Sequence, residues 1–371
     1  MKLTKLCAIA TALALVSIPL FAAEEESPLK FSINVQAAYY PENEYLTRSD
    51  SSVVGYEEGV LNPSRDGIRP GTDANHYSPI TGAYSGAEGR ITPQVDYTLK
   101  TPLGDNWLVS GANVRFSGYM GITPVSICPG ASVNFTPLPF LVFSAGGEVG
   151  TGWDFGTIFK GGMGSWTGTN KVYDNTKGWQ EFYLKTWFQG TFQFDTGAII
   201  KGDWTHVLMM FTYQAYYKRY TGAEDGELWI WNCSGNQVNG WNEYMNAVLA
   251  YQFPTPVLKR VGLMFESDGA YSDSVYNNPY YQGSFKEISL SPLFQFDFDE
   301  HNSLVVLFHF KSRRTYDSID KYTDGKYNDN GVWESSTGNT PDTLNPDSVG
   351  TTTVGREWFF NRIAISYTYK F

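Results

Sequence analysis

The sequence predicts an all-β fold, a transmembrane antiparallel up-and-down β-barrel of about twelve strands. Three observations carry this: apolar and polar residues alternate with period two through most of the chain, short and long connections alternate between those runs, and aromatic residues are abundant, with 25 Tyr, 24 Phe and 11 Trp beside 37 Gly. Period two splits a strand into an apolar and a polar face, whereas a helix would scatter the same residues around its circumference. Apart from the N-terminal apolar run, no segment approaches the roughly 20 apolar residues of a spanning helix. A membrane crossing built from strands has to close on itself, because lipid offers no hydrogen bonds to an open edge.

The chain opens with Lys2 and Lys5, an apolar run from Leu6 to Leu20, then Phe21, Ala22, Ala23 and Glu24 to Glu26. That order reads as a secretory signal peptide, residues 1–22, cleaved after Ala22 or Ala23. Cys7 lacks the small-residue context of a lipoprotein cut site, so no lipidation is expected. Lys2 and Lys5 are the signal's only charges, and their loss takes the formal net charge from −11 to about −13. Such an acidic chain is not expected to bind nucleic acid. Residues 23–30 read as a short periplasmic segment, and 31–371 as one barrel domain.

The first strand alternates Phe31, Ile33, Val35, Ala37 and Tyr39 with Ser32, Asn34, Gln36, Ala38 and Tyr40. Pro41 to Glu88, rich in Gly, Pro, Ser and Asn, reads as a large loop. The second strand sets Ile91, Val95, Tyr97 and Leu99 against Arg90, Gln94, Asp96 and Thr98, and Pro102 to Asn106 turns it. The third starts at Trp107 and continues through Ala112, Val114 and Phe116, with a turn expected over Gly118 to Thr123. Pro124 and Pro129 should make the fourth strand begin late or bulge, since proline withholds a ladder donor. Pro137 to Pro139 leads into Leu141, Phe143, Ala145, Gly147 and Val149.

Gly152 to Gly178 is a second loop. The next strand, with Leu184 and Phe188 opposite Lys185 and Trp187, should reach about Ile200, and Lys201 to Trp204 turns it into Val207, Met209, Phe211, Tyr213 and Ala215. Thr221 to Gly240 is a third loop. Met245 to Phe253, then Val261 to Phe265, form a hairpin around Pro254 to Pro256. Asp268 to Ser284 loops to the strand Ile288 to Phe296, which Asp299 to Asn302 joins to Leu304, Val306, Phe308 and Phe310. A long polar loop, Asp317 to about Gly355, precedes the last strand.

In that strand Ile363, Ile365, Tyr367, Tyr369 and Phe371 alternate with Arg362, Ala364, Ser366, Thr368 and Lys370. The pattern resembles the terminal assembly signal of Gram-negative outer-membrane β-barrel proteins, which end in Phe with apolar residues at alternate positions before it. The resemblance covers this strand alone and points to no one family. It implies outer-membrane location, contact with outer-membrane lipid, and handling by periplasmic chaperones and the barrel-assembly machinery.

With the polar faces turned inward, the pore-lining candidates are Arg90, Arg115, Glu148, Lys185, Arg260, Glu266, Glu287, Lys311, Arg313 and Arg362. Closure makes the first and last strands neighbours, so Arg90, Arg313 and Arg362 should form a basic wall that biases transport. The competing reading is neutralisation within the wall, with Glu287 near Arg313. The loops Pro41–Glu88 and Asp317–Gly355 are candidates for an inward plug or an outer cap.

No serine motif or acidic partner marks His76, His206, His301 or His309 for catalysis, so no enzyme activity is expected. Asp324 to Gly331 carries Lys326 where a calcium loop wants an acid, and neither metal nor cofactor is expected. Cys128 and Cys233 are two unpaired thiols or one incidental bridge. Trp241 suits an interfacial girdle, while Trp229 and Trp231, beside Glu224, Asp225 and Glu227, suit either a girdle or a sugar-binding patch. The expected function is a porin-like channel for small hydrophilic solutes. The alternatives are a closed barrel acting as a surface structural protein or adhesin through its loops and, further off, an outer-membrane hydrolase.

Overall fold

In a computed structural model the protein is a closed barrel of twelve antiparallel strands. The structure describes residues 27–40, 86–153, 162–167, 172–175, 178–227, 229–232, 234–275, 283–319, 325–327, 333–335 and 350–371. The expected signal peptide, His76 and most of the loops 41–88 and 317–355 lie outside them.

The strands are β1 (Leu29–Tyr40), β2 (Gly86–Lys100), β3 (Asn113–Thr123), β4 (Ser126–Leu138), β5 (Leu141–Gly152), β6 (Met163–Thr167), β7 (Val172–Asn175), β8 (Tyr183–Asp195), β9 (Val207–Tyr220), β10 (Trp229–Trp231), β11 (Ser234–Gln237), β12 (Gly240–Gln252), β13 (Leu258–Ala270), β14 (Glu287–Asp297), β15 (Asn302–Ile319), β16 (Gly325–Tyr327), β17 (Trp333–Ser335) and β18 (Gly350–Lys370). Around the barrel the order is β1, β18, β15, β14, β13, β12, β9, β8, β5, β4, β3, β2, and β1 pairs with both β2 and β18. Four short strands, β11, β10, β6 and β7, make a second sheet beyond one end of the barrel. Among the described residues no helix is long and apolar enough to cross a membrane, which says nothing against crossing by strands.

The alternation read from sequence sets the two faces. Phe31, Val35, Tyr39, Ile91, Phe116, Val133, Phe143, Phe188, Phe211, Leu249, Leu263, Phe308 and Ile365 are exposed on the outside. Exposed apolar residues on this scale mark a surface that meets something other than water. Trp107 and Trp204 are exposed at the end carrying both termini, and Trp179, Trp241 and Trp358 at the loop end, as two aromatic girdles. Trp241 packs edge-on against Tyr217.

Local departures from the sequence reading have physical causes. β3 does not begin at Trp107: hydrogen bonds from Val109 N and Ser110 N to Asn106 O wind residues 101–112 into turns, and β3 then runs through to Thr123. Pro124 and Val125 alone join it to β4, with the Thr123 and Ser126 hydroxyls 2.8 Å apart. Pro129 neither delays nor bulges β4. The ladder to β5 skips its position while keeping register between Ile127↔Thr151 and Gly130↔Glu148, and the continuous β3 ladder holds the strand in place. β8 stops at Asp195, where the carboxylate accepts a 2.8 Å bond from Gly197 N and starts a 3-10 turn. Ile199 and Ile200 are therefore exposed in a connection and not in a strand.

One bulge matters for the interior. His309 pairs with Arg362 but Phe310 pairs with Phe360, so Asn361 is an extra residue in β18. A bulge breaks strict alternation. Asn361 and Arg362 are both buried, and Trp358, which strict alternation would place inside with Arg362, is exposed.

The turn between β14 and β15 is fixed by Asp299, which accepts bonds from His301 N at 2.8 Å and Asn302 N at 2.7 Å. The Asn302 side chain, then the His301 amide, hold its carboxyl below the ordinary carboxylate range. A lowered folded value means the turn is supported above the unfolded value of about 3.9 and loses support as pH falls through the folded value. The amide NMR shifts of His301 and Asn302 should titrate with a midpoint below about 3.9, and Asp299→Asn should remove the transition. A midpoint at or above that value would contradict the assignment.

Candidate functional site

The inward faces of the twelve strands form two unlike walls. On one wall, Ala38, Met264, Leu293, Val305, Leu307 and Ala364 pack into an apolar core with Tyr40, with Val248 against it. This part of the interior is filled by side chains, as a barrel of modest strand number permits.

Directly on that core lies a buried polar network. The Glu266 carboxylate accepts from Tyr244 Oη at 2.6 Å, from Ser289 Oγ at 2.9 Å and from His309 Nε2 at 3.3 Å. Asn361 Nδ2 donates to His309 Nδ1 at 3.1 Å. With Nε2 donating and Nδ1 accepting, the imidazole is the neutral tautomer with both nitrogens engaged. Neither is left to take a proton from a serine hydroxyl. Beside it, Arg362 Nη1 donates to Tyr40 Oη at 2.9 Å and to Glu88 Oε1 at 3.0 Å. Both members of this ion pair are 7% exposed. Burial of charge is tolerable only with such partners.

The opposite wall, β2 to β5 with β8 and β9, carries short polar side chains, many of which solvent reaches. Ser117 Oγ donates to Asp96 at 2.5 Å, Gln94 Nε2 donates to the same carboxylate at 3.0 Å, and Ser144 Oγ donates to Asn134 at 2.6 Å. Gln214 Nε2 donates to Gln189 Oε1 at 2.9 Å. Arg90, Gln94, Asp96, Ser132, Asn134, Glu148, Lys185 and Gln189 are all only partly buried.

Above this wall the second sheet folds onto the barrel mouth. Met163, Trp229 and Tyr220 are fully buried in a cluster with Cys128, Tyr183 and Ala223. Trp231 stacks on Tyr183, rings 4.5 Å apart and 11° from parallel. Neither tryptophan is a surface sugar patch or a girdle residue: Trp229 is core, and Trp231 is part of a cap. The sequence reading assigned the 152–178 and 221–240 stretches to loop and looked for a plug in 41–88 or 317–355. It missed β6, β7, β10 and β11 because strands of three to five residues show no sustained period.

The structure disperses the predicted charges. Arg362 does not join Arg90 in a basic wall: it is neutralised by Glu88, which lies on the inward row of β2 and was assigned to the loop. The Arg90 guanidinium lies over Gly121 of β3, where a Cβ would collide with it. Glu287 gives its carboxylate to Lys311 at 2.5 Å. Arg313 faces Glu357 in the backbone ladder, and its side chain lies outside the described residues. Arg260 donates to Gln252 at 3.3 Å and to Gln295 at 3.1 Å near the termini end, and Arg115 is exposed there.

Glu148 accepts from Tyr119 Oη at 3.2 Å. Lys185 Nζ sits 4.4 Å from the centre of the Tyr216 ring. His309 and His206 do have acidic partners, Glu266 at 3.3 Å and Asp195 at 2.8 Å, which separation in sequence concealed. Cys128 is a free, buried thiol, and Cys233 lies outside the described residues. Among the described residues no group of His, Cys, Asp and Glu could hold a metal.

A closed antiparallel barrel, apolar outside and ringed by aromatics at both ends, defines a transmembrane β-barrel of the outer-membrane type that the terminal strand resembles. No protein-family model matches the chain, and no curated protein does. Among solved structures it is similar to OmpT, an outer-membrane protein of Vibrio cholerae, at 10% identity and TM-score 0.30 over 94% of this chain and 99% of that one. It is also similar to a Pseudomonas aeruginosa FadL homologue, at 8% and 0.29 over 92% and 89%, and to Pseudomonas aeruginosa OpdQ, at 8% and 0.22 over 93% and 97%. At these TM-scores the likenesses carry no argument about function.

Proposed function

We propose that the protein is an outer-membrane channel for passive passage of small hydrophilic solutes, confined to the polar wall of a half-filled barrel. The observation that supports this is the contrast between walls. Many inward residues of β12 to β15 and β18 are sealed, among them Ser291 and Leu293 at 0 to 1% exposure. Most of those of β2 to β5, among them Gln94, Asp96, Ser132, Asn134 and Glu148, are polar and reached by solvent, while Glu88 near the seam and Ser117 in β3 are buried. An aqueous path along such a wall passes solutes without a tight binding step.

On this reading the 163–167 and 229–231 strands are a partial cap over the path. Chaperones and the barrel-assembly machinery deliver the chain through its C-terminal strand, in which Phe371 N bonds Phe31 O at 3.0 Å. Liposomes carrying the protein should swell in arabinose faster than empty ones, and Trp231→Ala should speed this further by opening the mouth. Swelling no faster than empty liposomes would refute the channel and favour a closed barrel that works through its loops.

A further inference from the structure

Resting on the channel reading, we infer that the path is selective for small organic anions, monocarboxylates included, and that Arg90 and Lys185 set this preference. The inward cations differ by wall. On the packed side Arg362 is paired with Glu88 and Lys311 with Glu287, while Arg260, nearer the termini end, donates to Gln252 and Gln295. On the solvent-reached side Arg90 and Lys185 have no carboxylate partner among the described residues.

Arg90 is held in the lumen by geometry. Its guanidinium lies on the bare backbone of Gly121, and its Nε is buried with no hydrogen-bond acceptor. Lys185 is held differently, its ammonium over the Tyr216 ring at 4.4 Å and near Trp187 at 5.8 Å. A ring face fixes a cation without cancelling its charge.

The two cations occupy the same stretch of lumen beneath the cap. Glu148, Lys185 and Lys218 are successive backbone partners across β5, β8 and β9, and Tyr119 and Gly130 continue that row toward β2. Among the described residues the carboxylates near this level are Glu148, bonded by Tyr119, Asp268, which accepts from Tyr216 Oη at 2.7 Å, and Glu287, paired with Lys311. Lys218, on the same row, donates to Gln237 of the cap at 2.6 Å. Among the described residues Arg90 and Lys185 make no salt bridge, whereas Glu148 and Asp268 are each engaged by a tyrosine hydroxyl, and fixed charge acts most strongly in a narrow, low-dielectric passage.

The test is the reversal potential of the full-length protein in planar bilayers under a potassium chloride gradient and then a potassium acetate gradient. Wild type should favour the anion in both. Arg90→Gln and Lys185→Gln should each lower the anion-to-cation permeability ratio by about threefold, and Glu148→Gln should raise it by a similar factor. Cation preference in the wild type, or ratios unmoved by all three substitutions, would overturn the inference while leaving the channel intact. A folded barrel with no conductance would overturn the channel reading itself, and this inference with it.

Discussion

Arg362→Ala should cost about 3–5 kcal/mol of barrel stability, because it leaves the Glu88 carboxylate buried without its guanidinium. Arg362 donates to both Glu88 and Tyr40, so one truncation strips two acceptors on two strands. Of these strands, β1 pairs with β18 on one side and with β2 on the other, at the seam where the barrel closes. The urea midpoint of the barrel in detergent, followed by tryptophan fluorescence, should fall sharply. The paired variant Glu88→Gln with Arg362→Met should recover most of the loss, since removing both charges also removes the cost of burying them. A single variant as stable as wild type would mean that Glu88 is hydrated in solution and the packed wall is not sealed.

Trp229→Ala should cost about 3–5 kcal/mol, the usual penalty for deleting a large buried ring. The loss belongs to the cap and not to the barrel. Trp229 is fully buried against Tyr183 and Tyr220, with ring centres 6.0 and 5.9 Å away, but among the described residues β10 pairs with β6 and β11 alone. Limited proteolysis should therefore cut within 153–182 and 221–239 at least tenfold faster, while the urea midpoint of the barrel stays near that of wild type. Unchanged cleavage would show that the second sheet docks through other contacts.

Much of the fold was legible in the sequence because its determinant is local. Period two in Phe31 to Tyr40 or Leu304 to Phe310 decides which residues face out, and closure follows from the lack of lipid-compatible edges. The strand ends were less legible. Trp107 and Ile200 look like strand residues, but Asn106 and Asp195 start hydrogen-bonded turns that take them out of the ladder.

The interior was legible residue by residue and not as pairs. Arg362, Glu266 and Lys185 could be placed on inward faces by parity. Their partners Glu88, His309 and Tyr216 depend on register between strands far apart in sequence. A one-residue bulge at Asn361 moved Trp358 from the inside row to the outside, a change that parity counting has no means to detect. The apolar core inside the barrel was missed for a related reason. Ala38, Met264, Leu293 and Leu307 sit on strand faces that are otherwise polar, and each looks incidental until the strands are laid side by side.

The half-filled lumen is the central claim, and single-channel recording of the full-length protein in planar bilayers tests it most directly. The account predicts discrete openings of small, uniform conductance that grow when Trp231→Ala removes the stacked ring at the mouth, and that are unchanged in size by Val305→Ile on the packed wall. A correctly folded protein that stays silent, with and without the Trp231 ring, would contradict it.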